Sequence, residues 1–328
     1  MKRIICTLLL SSSIIITAQK KEEKGSLTIT GSIDTYYSSN LSKNSLGSIG
    51  ILTDIPANGF GLGMANTIFS YKKGKAGVVA DLAYGPRANA TNTYTGAINQ
   101  LYAYYEATDK ITFTLGQFNT FFGYEVISPT GNFNYSVSYL FNAGPFSHTG
   151  IKVDYSASED LSLMFSLTNP HTITVGSNPT TDYQIGFQTG YKEQFINVVY
   201  GAIDTSGITD VLFIDYTGGL DLSDTFYLGI NAAYANSNDT DSGYQGLALY
   251  LQKKFSETFS LGLRPELYKT TSGNRDTKFT ALTLTGNTTL TENLKFISEI
   301  RYDSSKDGII PFGKNSLTGA TLAAVYSF

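Results

Sequence analysis

Few residues in this 328-residue chain have the type and spacing for covalent chemistry. The single cysteine, Cys6, lies in an N-terminal leader, so the exported chain would carry no thiolate, disulfide or cysteine-held metal. The only histidines are His148 and His171. Ser147 beside His148 suggests a nucleophile and its base, as in a serine hydrolase. Adjacent strand residues point to opposite faces, which keeps such a pair apart. Asp239-Thr240-Asp241-Ser242-Gly243 offers the oxygen ligands of half a calcium loop, without the bidentate Glu that completes one. Gly59-Phe60-Gly61-Leu62-Gly63 is no dinucleotide fingerprint, because no helix follows it. Its glycines share one face of a strand and leave room for another segment. The reading is therefore no catalytic site, no metal and no cofactor.

The remaining chemistry is charge placed on one face. On Leu294 to Asp303, Lys295, Glu299, Arg301 and Asp303 alternate with Leu294, Phe296, Ile300 and Tyr302. The same rule puts Asp34, Asp81, Glu106, Lys152, Asp154, Asp215, Arg264 and Glu266 opposite apolar neighbours. If the apolar face meets lipid, these twelve face an aqueous lumen. A basic group turned the other way would cost ~2–4 kcal/mol at mid-bilayer. They either line a pore and tune its ion preference or pair across the lumen and brace its wall. Acids outnumber bases among them, which predicts a weak cation preference.

Such a face needs long alternating strands. From Ser26 onward the chain is a series of segments of ~10–13 residues, the length of a tilted membrane strand. Leu161, Leu163, Phe165 and Leu167 alternate with Ser162, Met164 and Ser166. Pro265 interrupts Phe259 to Tyr268 and predicts a lost ladder bond or a bulge. Short charged connections, such as Lys72-Lys73-Gly74-Lys75 and Ser256-Glu257, alternate with longer polar ones. The longer ones lie near 39–59, 86–96, 123–145, 170–181, 204–209, 236–243, 270–276 and 304–315. The last stretch, Leu317 to Phe328, alternates to the end of the sequence and finishes on an aromatic. An apolar strand there needs lipid on one face and partners on both edges. Leu27 to Tyr37 has the matching period and would close the ring. The fold class is all-β: a closed antiparallel transmembrane β-barrel of about 16 strands, with short periplasmic turns and longer extracellular loops.

Composition agrees. Charged residues are only 15%, with Tyr 23, Phe 20, Gly 32 and Trp 0. Without tryptophan, Tyr and Phe would build the interfacial girdles, and Tyr71, Tyr84, Tyr191, Tyr216, Tyr234, Tyr302 and Tyr326 sit near strand ends. The net charge of −4, which becomes −6 once Lys2 and Arg3 leave with the leader, argues against a nucleic-acid partner. Residues 1–18 read as a signal peptide: Lys2 and Arg3, an apolar run from Ile4, and Ile16-Thr17-Ala18 before the cut. That run falls short of the ~18–20 apolar residues a spanning helix needs. Residues 19–25 form a short periplasmic tail and 26–328 the barrel.

Positions 116–150 are denser in motif: Gly116-Gln117-Phe118, Phe122-Gly123-Tyr124-Glu125, Asn134-Tyr135-Ser136, Ser138-Tyr139, Phe141, Gly144-Pro145 and His148-Thr149-Gly150. With the leader and Phe328, this resembles the OmpL-like β-barrel porin family of Bacteroidetes outer membranes. The resemblance implies an outer-membrane location and passive diffusion of small polar solutes or ions through a water-filled lumen. It also implies recognition of the terminal Phe328 by the outer-membrane assembly machinery. Many such runs are basic between Ser136 and Ser138, where this chain has Val137. Residues 123–145 form a long loop rich in aromatics, Asn and Gly. Either it folds into the lumen, with Glu125, Asn132, Asn134, Tyr135 and Tyr139 at a constriction, or it caps the mouth. The partners expected are outer-membrane lipid, the assembly machinery and small polar solutes, with a homo-oligomer left open. The alternative function is a binding or scaffold barrel, its lumen occluded, displaying loops 39–59 and 123–145.

Overall fold

The alternation folds as expected. The computed structural model describes residues 24–42, 58–91, 97–172, 178–204, 208–307 and 315–328. The leader 1–18, most of the tail 19–25 and most of connection 39–59 lie outside the described residues. So do parts of connections 86–96, 170–181, 204–209 and 304–315. The first eight strands are β1 (Ser26–Asn40), β2 (Asn58–Lys73), β3 (Ala76–Tyr84), β4 (Ile98–Glu106), β5 (Ile111–Asn119), β6 (Ser147–Ser156), β7 (Leu161–Thr168) and β8 (Gln184–Tyr191). The second eight are β9 (Gln194–Gly201), β10 (Val211–Ser223), β11 (Phe226–Ser237), β12 (Ser242–Lys254), β13 (Phe259–Ser272), β14 (Arg275–Thr289), β15 (Leu294–Ser305) and β16 (Ser316–Ser327). Each pairs antiparallel with its neighbours in sequence, and β16 returns to β1 to close the barrel. No helix among the described residues is long and apolar enough to cross a membrane.

Closure runs from Ser32 opposite Ser327 to Asn40 opposite Gly319. Gly31 and Phe328 extend it by exchanging two backbone hydrogen bonds of 3.0 Å. Closure removes both sheet edges, so no backbone donor or acceptor need face lipid unpaired. Large apolar side chains point outward, including Leu115, Ile151, Phe165, Ile185, Leu284 and Leu322. Tyr71, Tyr84, Tyr191, Tyr234, Tyr302 and Tyr326 are exposed on the same outer surface. Phe328 also lies there, half exposed.

Pro265 takes the first of its two expected outcomes. Pairing between β12 and β13 lapses across it, yet Ala248–Glu266 and Leu251–Leu263 keep one register, so a bond is lost without a bulge. A true bulge sits between β1 and β2 at Ile33/Thr35. There the Met64 N–H donates to the Asp34 carboxylate at 2.9 Å. The Gly59–Gly63 face receives its neighbour's side chains: the Tyr36 ring lies over Gly61 and the Asp34 carboxylate over Gly63, where a Cβ would collide.

Two expected long connections are in fact tight turns. β11 ends at Ser237 and β12 begins at Ser242, while β13 ends at Ser272 and β14 begins at Arg275. Positive φ at Asp241 (49°) and Gly273 (55°) makes the reversals. The strands simply run further than the alternation does, to Ser237, Ser242, Ser272 and Arg275. The connection from β5 to β6, residues 120–146, is long. It holds a 3₁₀ turn (Pro129–Gly131) and a short helix, here α2 (Tyr139–Ala143), and the β3–β4 connection holds α1 (Pro86–Thr91).

Candidate functional site

Segment 120–146 lies inside the barrel, bonded to inward-facing side chains of β1, β10, β13, β14 and β15. A long connection full of backbone polar groups can be buried only where each finds a partner. The inward charges supply them. Glu299 accepts from the Tyr135 N–H at 2.9 Å and the Ser136 N–H at 3.1 Å. Glu266 accepts from the Tyr139 N–H at 2.8 Å. Asp215 accepts from the Gly123 N–H at 3.1 Å and from Asn231 at 2.9 Å. Arg301 Nη1 donates to the Val137 carbonyl at 2.6 Å, and its Nε donates to Asp303 at 3.0 Å.

Arg264 is the centre of this network. Its Nη1 donates to Glu125 at 2.6 Å and to the Ser136 carbonyl at 2.6 Å, and its Nε donates to Glu266 at 2.8 Å. Arg264 is 0% exposed and Glu125 4%. Glu125 also accepts from the Ser138 N–H at 2.7 Å. Burial raises the Glu125 carboxyl above its usual range, while the Arg264 guanidinium beside it opposes that rise.

The other residues expected at a constriction are mostly anchors. The Tyr135 hydroxyl donates to Asp34 at 2.5 Å, and its ring lies under the Arg87 guanidinium at 4.7 Å. Tyr139 stacks on Tyr268 (5.4 Å) and Phe279 (5.1 Å), with Arg301 over its ring at 5.2 Å. Asn134 donates to Thr285 at 2.6 Å, and Thr285 donates to Glu299 at 2.9 Å. Asn132 ties the segment to itself, accepting from the Val126 N–H at 2.9 Å and donating to the Val126 carbonyl at 2.7 Å. Val137 is buried among Met64, Ala83, Ala88, Ile127 and Phe141. Apolar burial takes the place of a charge at that position. Burial pushes the phenols of Tyr135 and Tyr139 up, so both remain neutral donors.

The twelve charges therefore divide. Asp34, Asp81, Asp215, Arg264, Glu266, Glu299, Arg301 and Asp303 face inward but are buried, so water does not line them. Segment 120–146 covers most of them, and Asp81 is taken up by Asn66 (3.1 Å) and Asn99 (2.6 Å). Glu106, Lys152, Asp154 and Lys295 stay partly accessible. Glu106 pairs with Lys72 at 2.6 Å, and Lys152 pairs with Asp154. Arg87 was not among the residues singled out from the sequence. It sits on α1 in a connection without periodicity, and its Nη2 donates to the Tyr135 carbonyl at 2.9 Å. Two cavities, of about 560 Å³ and 350 Å³, lie where segment 120–146 faces the ends of β8 to β15 that carry the short turns at 192–193, 224–225, 255–258 and 290–293.

The histidine chemistry does not assemble at Ser147. His148 Nε2 is 3.0 Å from Thr120 Oγ1, and its ring stacks on Phe121 at 4.7 Å. The Ser147 hydroxyl is buried without a partner. Among the described residues no group of three His, Cys, Asp or Glu could hold a metal. Segment 123–145 turns inward, which removes it from the displayed loops a scaffold barrel would use.

The same architecture occurs in solved outer-membrane channels. An anion-selective porin from Comamonas acidovorans matches with TM-score 0.66 at 12% identity, covering 93% of this chain and 100% of that one. The outer membrane channel DcaP of Acinetobacter baumannii matches with TM-score 0.59 at 12% identity, covering 93% and 97%. OmpT, expressed in the outer membrane of Vibrio cholerae, matches with TM-score 0.58 at 11% identity, covering 93% and 98%. No curated protein matches the sequence. A family model described as "Putative beta-barrel porin-2, OmpL-like" matches residues 26–328, the whole barrel. A closed sixteen-stranded wall, a polar interior and that match together make this chain a member of the OmpL-like β-barrel porin family of the outer membrane.

Proposed function

We propose that small polar solutes diffuse through this lumen and that segment 120–146 sets its narrowest part. The observation that carries the reading is the network at Arg264, which fixes the segment across the interior rather than over the mouth. A barrel of sixteen strands is wide enough for an aqueous channel, and in this reading the internal segment narrows it. The reading needs no catalytic residue and no cofactor. Single-channel recording of the refolded protein tests it. Discrete conductance steps are expected, and a folded but silent barrel would remove the diffusion pore.

Phe328 completes the last strand and closes the ring against Gly31. In the same reading it is the signal by which the assembly machinery takes the barrel into lipid. Truncation of Phe328 then lowers surface levels more than it lowers the conductance of the barrels that insert. Normal surface levels of the truncated chain would count against that role.

A further inference from the structure

The 560 Å³ cavity beneath segment 120–146 has one cation in its lining, Lys295 on β15. Four other bases on inward strand faces are paired with acids. Lys72 holds Glu106, Lys152 holds Asp154, Arg264 holds Glu125 and Glu266, and Arg301 holds Asp303. Lys295 has no hydrogen bond or ion pair among the described residues. Glu125 borders the same cavity, but its carboxylate is spent on Arg264 and the Ser138 N–H. A part-buried ammonium without a counter-charge favours an anion beside it. Asn287 Oδ1 is also buried without a partner, while its Nδ2 donates to the Phe133 carbonyl at 2.8 Å. Across the cavity the Tyr124 and Tyr250 rings stack at 4.1 Å, and the Tyr124 and Tyr227 hydroxyls meet at 3.1 Å. Aromatic walls with a few placed polar groups suit a small ring bearing hydroxyls.

We propose that this cavity is a subsite for a small hydroxylated anion of the sugar-acid class, with its carboxylate on Lys295 and a hydroxyl on Asn287. One lysine matches one negative charge, which favours a carboxylate over a phosphate dianion. The proposal rests on the porin reading and deepens it. The test is single-channel recording with potassium glucuronate or glucose added to each side in turn, on wild type and Lys295→Met. Lys295→Gln serves if the Met variant does not fold. Glucuronate should interrupt the wild-type current at about tenfold lower concentration than glucose, and the variant should lose that difference. An open channel equally sensitive to the two sugars, or a variant blocked like wild type, overturns the subsite and leaves the porin. A silent barrel overturns the porin reading and the subsite with it.

Discussion

The wall of β13 to β15 and the wall of β4 to β6 carry the same kinds of residue on the same inward face, and they end in opposite states. On β13 to β15, Arg264, Glu266, Glu299, Arg301 and Asp303 are all at most 5% exposed and are bonded to segment 120–146 or to each other. On β4 and β6, Glu106, Lys152 and Asp154 pair with nearby side chains and keep 36%, 24% and 41% of their side-chain surface. Strand phase puts both sets inside the barrel. Only the position of one long connection decides which set becomes scaffold and which remains at the lumen surface. A charged inward residue is thus no evidence of a water-lined pore until its cover is known.

The two walls should respond differently to the same kind of change. Arg264→Met leaves Glu125 buried without its cation and Glu266 with only Arg301, 3.9 Å away, and breaking a buried pair from one side costs about 3–5 kcal/mol. The variant should unfold at markedly lower temperature in a heat-dependent gel shift and, where folded, conduct more because the segment loosens. Unchanged stability would mean that the network does not hold the segment. Lys152→Met breaks a part-exposed pair, so its stability should change by no more than about 1 kcal/mol. It uncovers Asp154, however, and should move the reversal potential in a salt gradient toward cation preference. No movement would show that this wall is not in the ion path.

Much of the barrel was legible in the sequence because lipid enforces it. Leu294, Phe296, Ile300 and Tyr302 must face out, and this alone fixes Lys295, Glu299, Arg301 and Asp303 inside. The closing pair of β1 and β16 was legible for the same reason: an apolar strand ending in Phe328 needs both edges filled. The fate of the inward charges was not legible. Their partners are backbone N–H and carbonyl groups of Tyr135, Ser136 and Val137, about 130 to 165 positions away, and main-chain groups have no sequence signature. Arg87 was missed because its connection carries no period. The tight turns at 238–241 and 273–274 were missed because the ends of β11 to β14 carry polar residues on both faces, which read as loop.

If segment 120–146 is a fixed internal narrowing, the single-channel conductance of the intact barrel must differ from that of a chain lacking residues 130–142. Removing those residues strips the Tyr135, Ser136, Ser138 and Tyr139 anchors together. The deletion chain should fold as a barrel with a severalfold larger conductance. An equal conductance in a correctly folded deletion chain would place the narrowing elsewhere in the barrel.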